Sequence, residues 1–141
     1  MKSIGRFHTF LYRLSGGRIG GRLWGLRVLL LTTTGRKTGT QWTTPLCCFP
    51  DGDDLVVVAS NGGRERTPSW FLNLKQNPAV TIQLGREQRS VTAREASPEE
   101  RERLWAAITA VAPGYLKYQQ RAHRVIPLGI LEPAKGHVGT P

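Results

Sequence analysis

Arg36 and Lys37 stand side by side between Gly35 and Gly39, in the stretch LTTTGRKTGT (31–40) that leaves an apolar run. Glycines permit positive φ, so successive backbone N–H groups can converge on one oxyanion. The two cations would add charge-assisted contacts to a phosphate or carboxylate. A second glycine pair ends ASNGG (59–63), and PSWFLNLKQNP (68–78) opens a helix whose N-terminus favours anions. Trp70 and Asn73, three residues apart, share one face of that helix. Two glycine loops and a helix start point together to an anionic small molecule. A plain turn and a core tryptophan are the bland readings of each feature taken singly.

Other chemistries lack their residues. His8, His123 and His137 are scattered, with no C-x-x-C or H-E-x-x-H, so no metal site is expected. Cys47 and Cys48 are adjacent in a strand-like stretch, where side chains alternate between faces, so a disulfide framework is not expected and a reducing cytoplasm is. No G-x-G-x-x-G follows a strand, and Leu30 stands where a Walker-type phosphate loop needs its first glycine.

The elements that must hold these residues follow from periodicity. Ile4, Phe7, Leu11 and Leu14 form one face of a helix, with Lys2, Arg6 and Arg13 off it, and SGGRIGGR (15–22) breaks it. RVLLLTTT (27–34) and QWTTPLCCF (41–49) read as strands, with Pro45 marking an edge or bulge. PDGDD (50–54) is a hairpin turn before the β-branched strand LVVVAS (55–60). A helix over 69–77 stops before Pro78. AVTIQL and QRSVTAR make a second hairpin around Gly85-Arg86-Glu87. Ser97, Pro98 and Glu100 open SPEERERLWAAITAV as a capping box. PGYLKYQQRAHR (113–124) reads as a broken helix, VIPLGILEP (125–133) as the last strand, and the tail as frayed.

Strands joined by tight turns are antiparallel, which implies a meander curling into a small barrel. One domain is expected over 1–141: a basic amphipathic helix and glycine-rich connector (1–22), a barrel core (23–133) and a tail (134–141). Net charge is +10, and residues 1–50 hold eight Lys and Arg with no acid. That field suits an anionic ligand, a nucleic acid or a membrane surface. No apolar run approaches the roughly 20 residues of a spanning helix, and no secretory leader is expected.

The blocks LLLTTTGRKTG, VVVASNGG, PSWFLNLKQNP, PGYLKYQ and the late IP, in this order over about residues 5–133, resemble the deazaflavin-dependent nitroreductase and quinone reductase family. The resemblance implies an antiparallel split β-barrel of the flavin-reductase type, mainly β with flanking helices. It implies coenzyme F-420, the 8-hydroxy-5-deazaflavin of methanogens and actinobacteria, as the reduced hydride donor, with no metal. Arg36, Lys37 and Thr38 match the loop for the cofactor's anionic tail. Pro45 and Leu46 match strand positions beside the rings, and Ala59, Ser60 and Asn61 match their polar edge. Trp70 and Asn73 match the helix completing the cleft. Tyr115 and Tyr118 match tyrosines on the substrate side, where they and Ser60 would hold an acceptor oxygen as it gains charge.

The chain also departs from that pattern. Relatives commonly carry Arg where Trp42 stands and an aromatic residue at Cys47, many carry Lys at Asn61, and the nitroimidazole-activating ones carry Tyr at Ala112. A missing tyrosine at Ala112 widens the pocket and argues against nitroimidazole reduction. Quinones, enones and nitroaromatics all suit a hydride carrier held near its acceptor. Three rival readings remain: a nucleic-acid barrel stacking bases on Trp24, Trp42 and Phe49, a flavin-mononucleotide barrel, and a deazaflavin carrier without turnover. Further expectations are a cytoplasmic protein and an N-terminal helix whose apolar face either caps the barrel's open end or docks loosely on anionic membrane. His123, next to Arg121 and Arg124, reads as a surface residue.

Overall fold

A computed structural model describes residues 22–23 and 26–134. The expected helix over 4–14, most of the glycine-rich connector and residues 135–141 lie outside the described residues. The strands are β1 (Arg22–Leu23), β2 (Leu26–Thr34), β3 (Gln41–Asp51), β4 (Asp54–Val58), β5 (Ala79–Leu84), β6 (Glu87–Glu95) and β7 (Leu128–Pro133). The helices are α1 (Ser69–Gln76), α2 (Pro98–Val111) and α3 (Gly114–Ala122), with a 3₁₀ turn at Asn61–Gly63.

Every strand pairing is antiparallel, in the order β2-β3-β4-β7-β6-β5. The sheet closes because Leu31 of β2 pairs with Thr44 of β3 on one side and Ile82 of β5 on the other. The result is a six-stranded barrel, with β1 appended to β2. Closure removes the free edges that an open sheet would expose.

Alternation divides the apolar residues between two cores. Leu29, Leu31, Val57, Val80, Ile82, Val91, Ala93 and Leu131 fill the barrel, and Trp70, Phe71 and Leu74 of α1 join them. Phe49, Val56, Val58, Leu128 and Ile130 face outward instead, under Leu104 and Ile108 of α2 and Ala122 of α3. Cys48 is buried in the barrel while Cys47 packs on the outer side, so the adjacent cysteines do occupy opposite faces.

Strand direction places the connections. β2 and β4 run the same way because each is antiparallel to β3. Their C-termini therefore leave one end of the barrel, where β5 and β7 begin and β6 finishes. That end carries residues 35–40, residues 59–68, α1, and the α2–α3 excursion. The other end has two-residue turns, Gly52-Asp53 and Gly85-Arg86, whose glycines sit at φ 62° and 64°. Mirror-image hairpin turns need that positive φ.

Pro45 faces no second partner strand: β2 covers residues 41–47 of β3, whereas β4 pairs only with 48–51. A proline there interrupts no second ladder. Ser97 caps α2 through the Glu100 amide, and the Glu100 carboxylate returns to the Ser97 N–H. Arg94 of β6 ties this cap to the barrel by a two-pronged ion pair with Glu100, at 2.7 and 2.8 Å.

Two boundaries differ from expectation. Residues 114–122 form one continuous helix rather than a broken one, ended by His123 in left-handed backbone at φ 55°. The last strand starts at Leu128, not at residue 125. The preceding Ile126 spends its N–H on Gln119 and its carbonyl on Arg101, outside the sheet.

Candidate active site

The turn after β2 is held from below by one side chain. Asn73 is 4% exposed, and its Oδ1 accepts from the Arg36 N–H at 3.2 Å and from Arg36 Nη1 at 2.8 Å. Its Nδ2 points to Thr33 Oγ1 at 3.5 Å, and Asn77 Nδ2, one turn on, donates to Thr34 O at 3.4 Å. An asparagine inside a helix can serve this way because a buried acceptor left unpaired costs about 1–3 kcal/mol. So α1 fixes the end of β2 and the first residue of the turn.

Within the turn, the Gly35 N–H binds Thr40 O at 2.7 Å and the Gly39 N–H binds Gly35 O at 2.9 Å. The Thr40 N–H takes the Thr38 hydroxyl. With the Arg36 N–H on Asn73, the amides of Lys37 and Thr38 are those left for an outside acceptor among the described residues. Both residues are exposed, and Lys37 makes no ion pair with a described residue. The anion nest is thus smaller than the glycines alone suggested: two amides and two cations.

Residues 59–68 leave β4 at the same end. Ala59 and Ser60 are buried, and Ser60 O accepts the Gly63 N–H at 2.9 Å. Asn61, Gly62 and Gly63 all have positive φ, at 49°, 65° and 82°. Asn61 Nδ2 donates back to Arg66 O at 2.9 Å. Gly63 is there for space as well: a Cβ would sit 3.1 Å from both Cα and O of Tyr118. This close approach brings the Ser60–Gly63 turn against the middle of α3.

Tyr115 and Tyr118 stack edge-on at 6.0 Å, and Tyr115 meets Phe49 at 6.1 Å. Burial, then the neighbouring Cys47 and Tyr118, push the Tyr115 phenol up, so at neutral pH it remains a donor. Its hydroxyl pairs with the Cys47 thiol, which burial likewise pushes up, making that cysteine a poor nucleophile. Ala112 closes α2, with its N–H on Ile108 O at 2.8 Å, and packs against the same outer core.

The remaining expected residues are spread differently. Leu46 packs against the barrel core, and alternation along β3 puts Pro45 on the opposite face. Trp70 lies in that core, edge-on to Phe71 at 5.8 Å, so its indole is a packing group here. Trp42 is 50% exposed and covers Gly35, where an added Cβ would come within 3.2 Å of the indole nitrogen. A concavity of about 620 Å³ lies on the outer wall of β2, β3, β5 and β6, between Thr32, Thr43, Gln83 and Ser90, and contains none of these residues. Among the described residues no cluster of three metal-ligating side chains occurs.

Arg124, which the sequence did not single out, reaches into residues 59–66. Its partners are backbone carbonyls, which carry no mark in a sequence. Asn77 and Gln119 escaped notice for the same reason.

The closed antiparallel barrel with flanking helices is of the flavin-reductase-like fold class, and its loop-bearing end carries two cations and a buried serine. The profile of the F420H(2)-dependent quinone reductase family matches residues 4–133. The chain is 43% identical over 130 residues to the F420H(2)-dependent quinone reductase Rv1261c of Mycobacterium tuberculosis, covering 89% of this chain and 87% of that one. Among solved structures it resembles an F420-H2 dependent reductase at 40% identity and TM-score 0.68, covering 74% and 93%. A chain solved as a domain-swapped dimer matches at 35% identity and TM-score 0.69, covering 90% and 96%. This chain belongs to the F420H(2)-dependent quinone reductase family. It is a deazaflavin-dependent oxidoreductase whose hydride donor is reduced coenzyme F-420.

Proposed function

We propose that the cofactor lies across the loop-bearing end of the barrel and that a quinone is the acceptor. The carrying observation is the pair Arg36–Lys37 with the outward amides of Lys37 and Thr38, on a turn that Asn73 holds in place. This donor set fits an anionic tail, since neither cation is ion-paired to a described carboxylate. Leu46, Pro45 and Ala59 would flank the rings, and Ser60 and Asn61 would meet their polar edge. Asn73 acts through Arg36, and Trp70 through packing under α1.

When bound, the reduced deazaflavin supplies the hydride. The protein's part is position and electrostatics. Ser60 and Tyr118 would donate to the acceptor oxygen as it gains charge. Tyr115, kept protonated by burial and engaged with Cys47, would back Tyr118 through their edge contact. No side chain need act as a strong base. With Ala112 in place of a tyrosine, bicyclic nitroimidazoles should be poor acceptors.

Peripheral membrane attachment in an actinobacterial cytoplasm extends this reading. No helix of the described residues is long and apolar enough to span a bilayer. Residues 2–13 nevertheless combine Lys2, Arg6 and Arg13 with Ile4, Phe7 and Leu11, a composition suited to an anionic interface where quinones dissolve. Sedimentation with anionic vesicles at low salt, with and without residues 1–14, checks this part.

Fluorescence quenching of oxidised coenzyme F-420 by the purified protein tests the cofactor. Oxidation of its reduced form on adding a short-chain quinone tests the reaction. Tighter binding of flavin mononucleotide than of the deazaflavin would overturn the reading.

A further inference from the structure

Arg124 emerges directly from the left-handed turn that ends α3. Its Nε donates to Arg64 O at 3.1 Å, and its Nη2 faces Ala59 O at 3.1 Å, Ser60 O at 3.2 Å and Arg66 O at 3.3 Å. One guanidinium thus gathers four carbonyls from a single loop, and Nη1 is enclosed without a hydrogen-bond partner. No carboxylate of the described residues neutralises it.

The arginine is itself held. Gln119 Nε2 donates to the Arg124 carbonyl. Gln119 Oε1 accepts from the Ile126 N–H at 3.0 Å and from Arg101 Nη2 at 3.1 Å, and Arg101 Nε donates to Ile126 O at 2.8 Å. A continuous polar chain therefore runs from α2 through α3 into residues 59–66. It is needed because that loop has no ladder of its own. Three successive residues, Asn61 to Gly63, sit at positive φ, where two are glycines with little preference for one conformation.

We propose that Arg124 is the positioning residue for the Ser60–Asn61 side of the site, holding residues 59–66 in the shape that receives the cofactor. This rests on the functional reading above. A planar fork with several donors can serve carbonyls spread along a loop, whereas a lysine ammonium at the same place serves fewer and in no fixed plane. The guanidinium also keeps a positive charge beneath the Ser60 carbonyl, next to where the acceptor oxygen would gain charge.

Arg124→Lys and Arg124→Gln test it, read by amide exchange of residues 59–66, deazaflavin affinity, and kcat and KM with a short-chain quinone. For Arg124→Lys, melting should stay near wild type while exchange in 60–66 rises at least about tenfold. Cofactor Kd should rise by about tenfold and kcat fall, with KM for quinone within about twofold of wild type. Arg124→Gln should show the same pattern, larger. Wild-type cofactor affinity in Arg124→Lys, or unchanged loop exchange, overturns the proposal. Absence of deazaflavin binding by the wild-type protein itself would instead overturn the functional reading, and exchange in the cofactor-free variants still decides whether the clamp exists.

Discussion

Two glycine-containing loops leave the same end of the barrel, and they are stabilised in opposite ways. Residues 35–40 are anchored at their root, by Asn73 on the amide and guanidinium of Arg36, and leave Lys37 exposed and two amides without a partner among the described residues. Residues 59–68 are anchored along their length, with four carbonyls on Arg124 and Gly63 pressed on Tyr118. The first loop has unspent donors, as a turn that binds an anion should. The second has its own carbonyls satisfied from outside, which leaves its conformation fixed but dependent on α3. On the proposed reading, binding energy and positional accuracy reside in different loops.

The sharpest way to break this contrast is to remove the cations. Arg36→Ala with Lys37→Ala should weaken deazaflavin binding by about 3–6 kcal/mol, since each charge-assisted contact contributes roughly 1.5–3. Titration by fluorescence quenching reads this directly, and an unchanged Kd would remove the first loop from the site.

The glycines offer a paired comparison. Gly63→Ala places a Cβ 3.1 Å from main-chain atoms of Tyr118 at φ 82°. It should cost about 2–4 kcal/mol of stability, combining overpacking with backbone strain. Gly39→Ala, at φ 77° with nothing within 4 Å, should cost only the left-handed strain of about 1–2 kcal/mol. Urea denaturation of the two variants measures the difference, and equal losses would mean that α3 does not confine the second loop.

Asn73→Ala should lower stability by about 1–2 kcal/mol, because Arg36 loses an acceptor but can turn to water. Cofactor affinity should fall with it, less than in the double variant. If melting drops while affinity is unchanged, the asparagine serves α1 packing rather than the turn.

The smallest effect lies away from both loops and serves as a control. The Arg94 guanidinium, then the Ser97 N–H, lower the Glu100 carboxyl from 4.5 to about 2. A depressed carboxylate contributes stability that is full above pH 4.5 and is lost as pH falls towards about 2. The stability gap between wild type and Glu100→Gln should therefore close over that interval. The pair is partly exposed, so the gap is small. Cofactor affinity at neutral pH should not change.

Much of this architecture was readable before folding, and particular residues say why. Ser97, Pro98 and Glu100 act on amides three residues away, so α2 announces its own start. Gly52 and Gly85 are local demands of two-residue turns. Trp70 and Asn73 were correctly placed on one helix, but nothing local separates an indole that packs under α1 from one that faces a ligand. The split of that pair, core for one and clamp for the other, depends on which strand end α1 covers.

The order of elements, the antiparallel meander, the cationic turn and the family resemblance all belong to the linear chain, because each depends on residues within a few positions or on their succession. Only the closed barrel decided that residues 36, 60, 73 and 118 belong to the same end. It also decided that the amides of Gly35, Arg36, Gly39 and Thr40 in the first turn are already spent, and that Arg124 reaches carbonyls 58 to 65 residues away. Main-chain acceptors are identical at every position of a sequence. Which of them an arginine finds is settled by strand direction and helix packing alone.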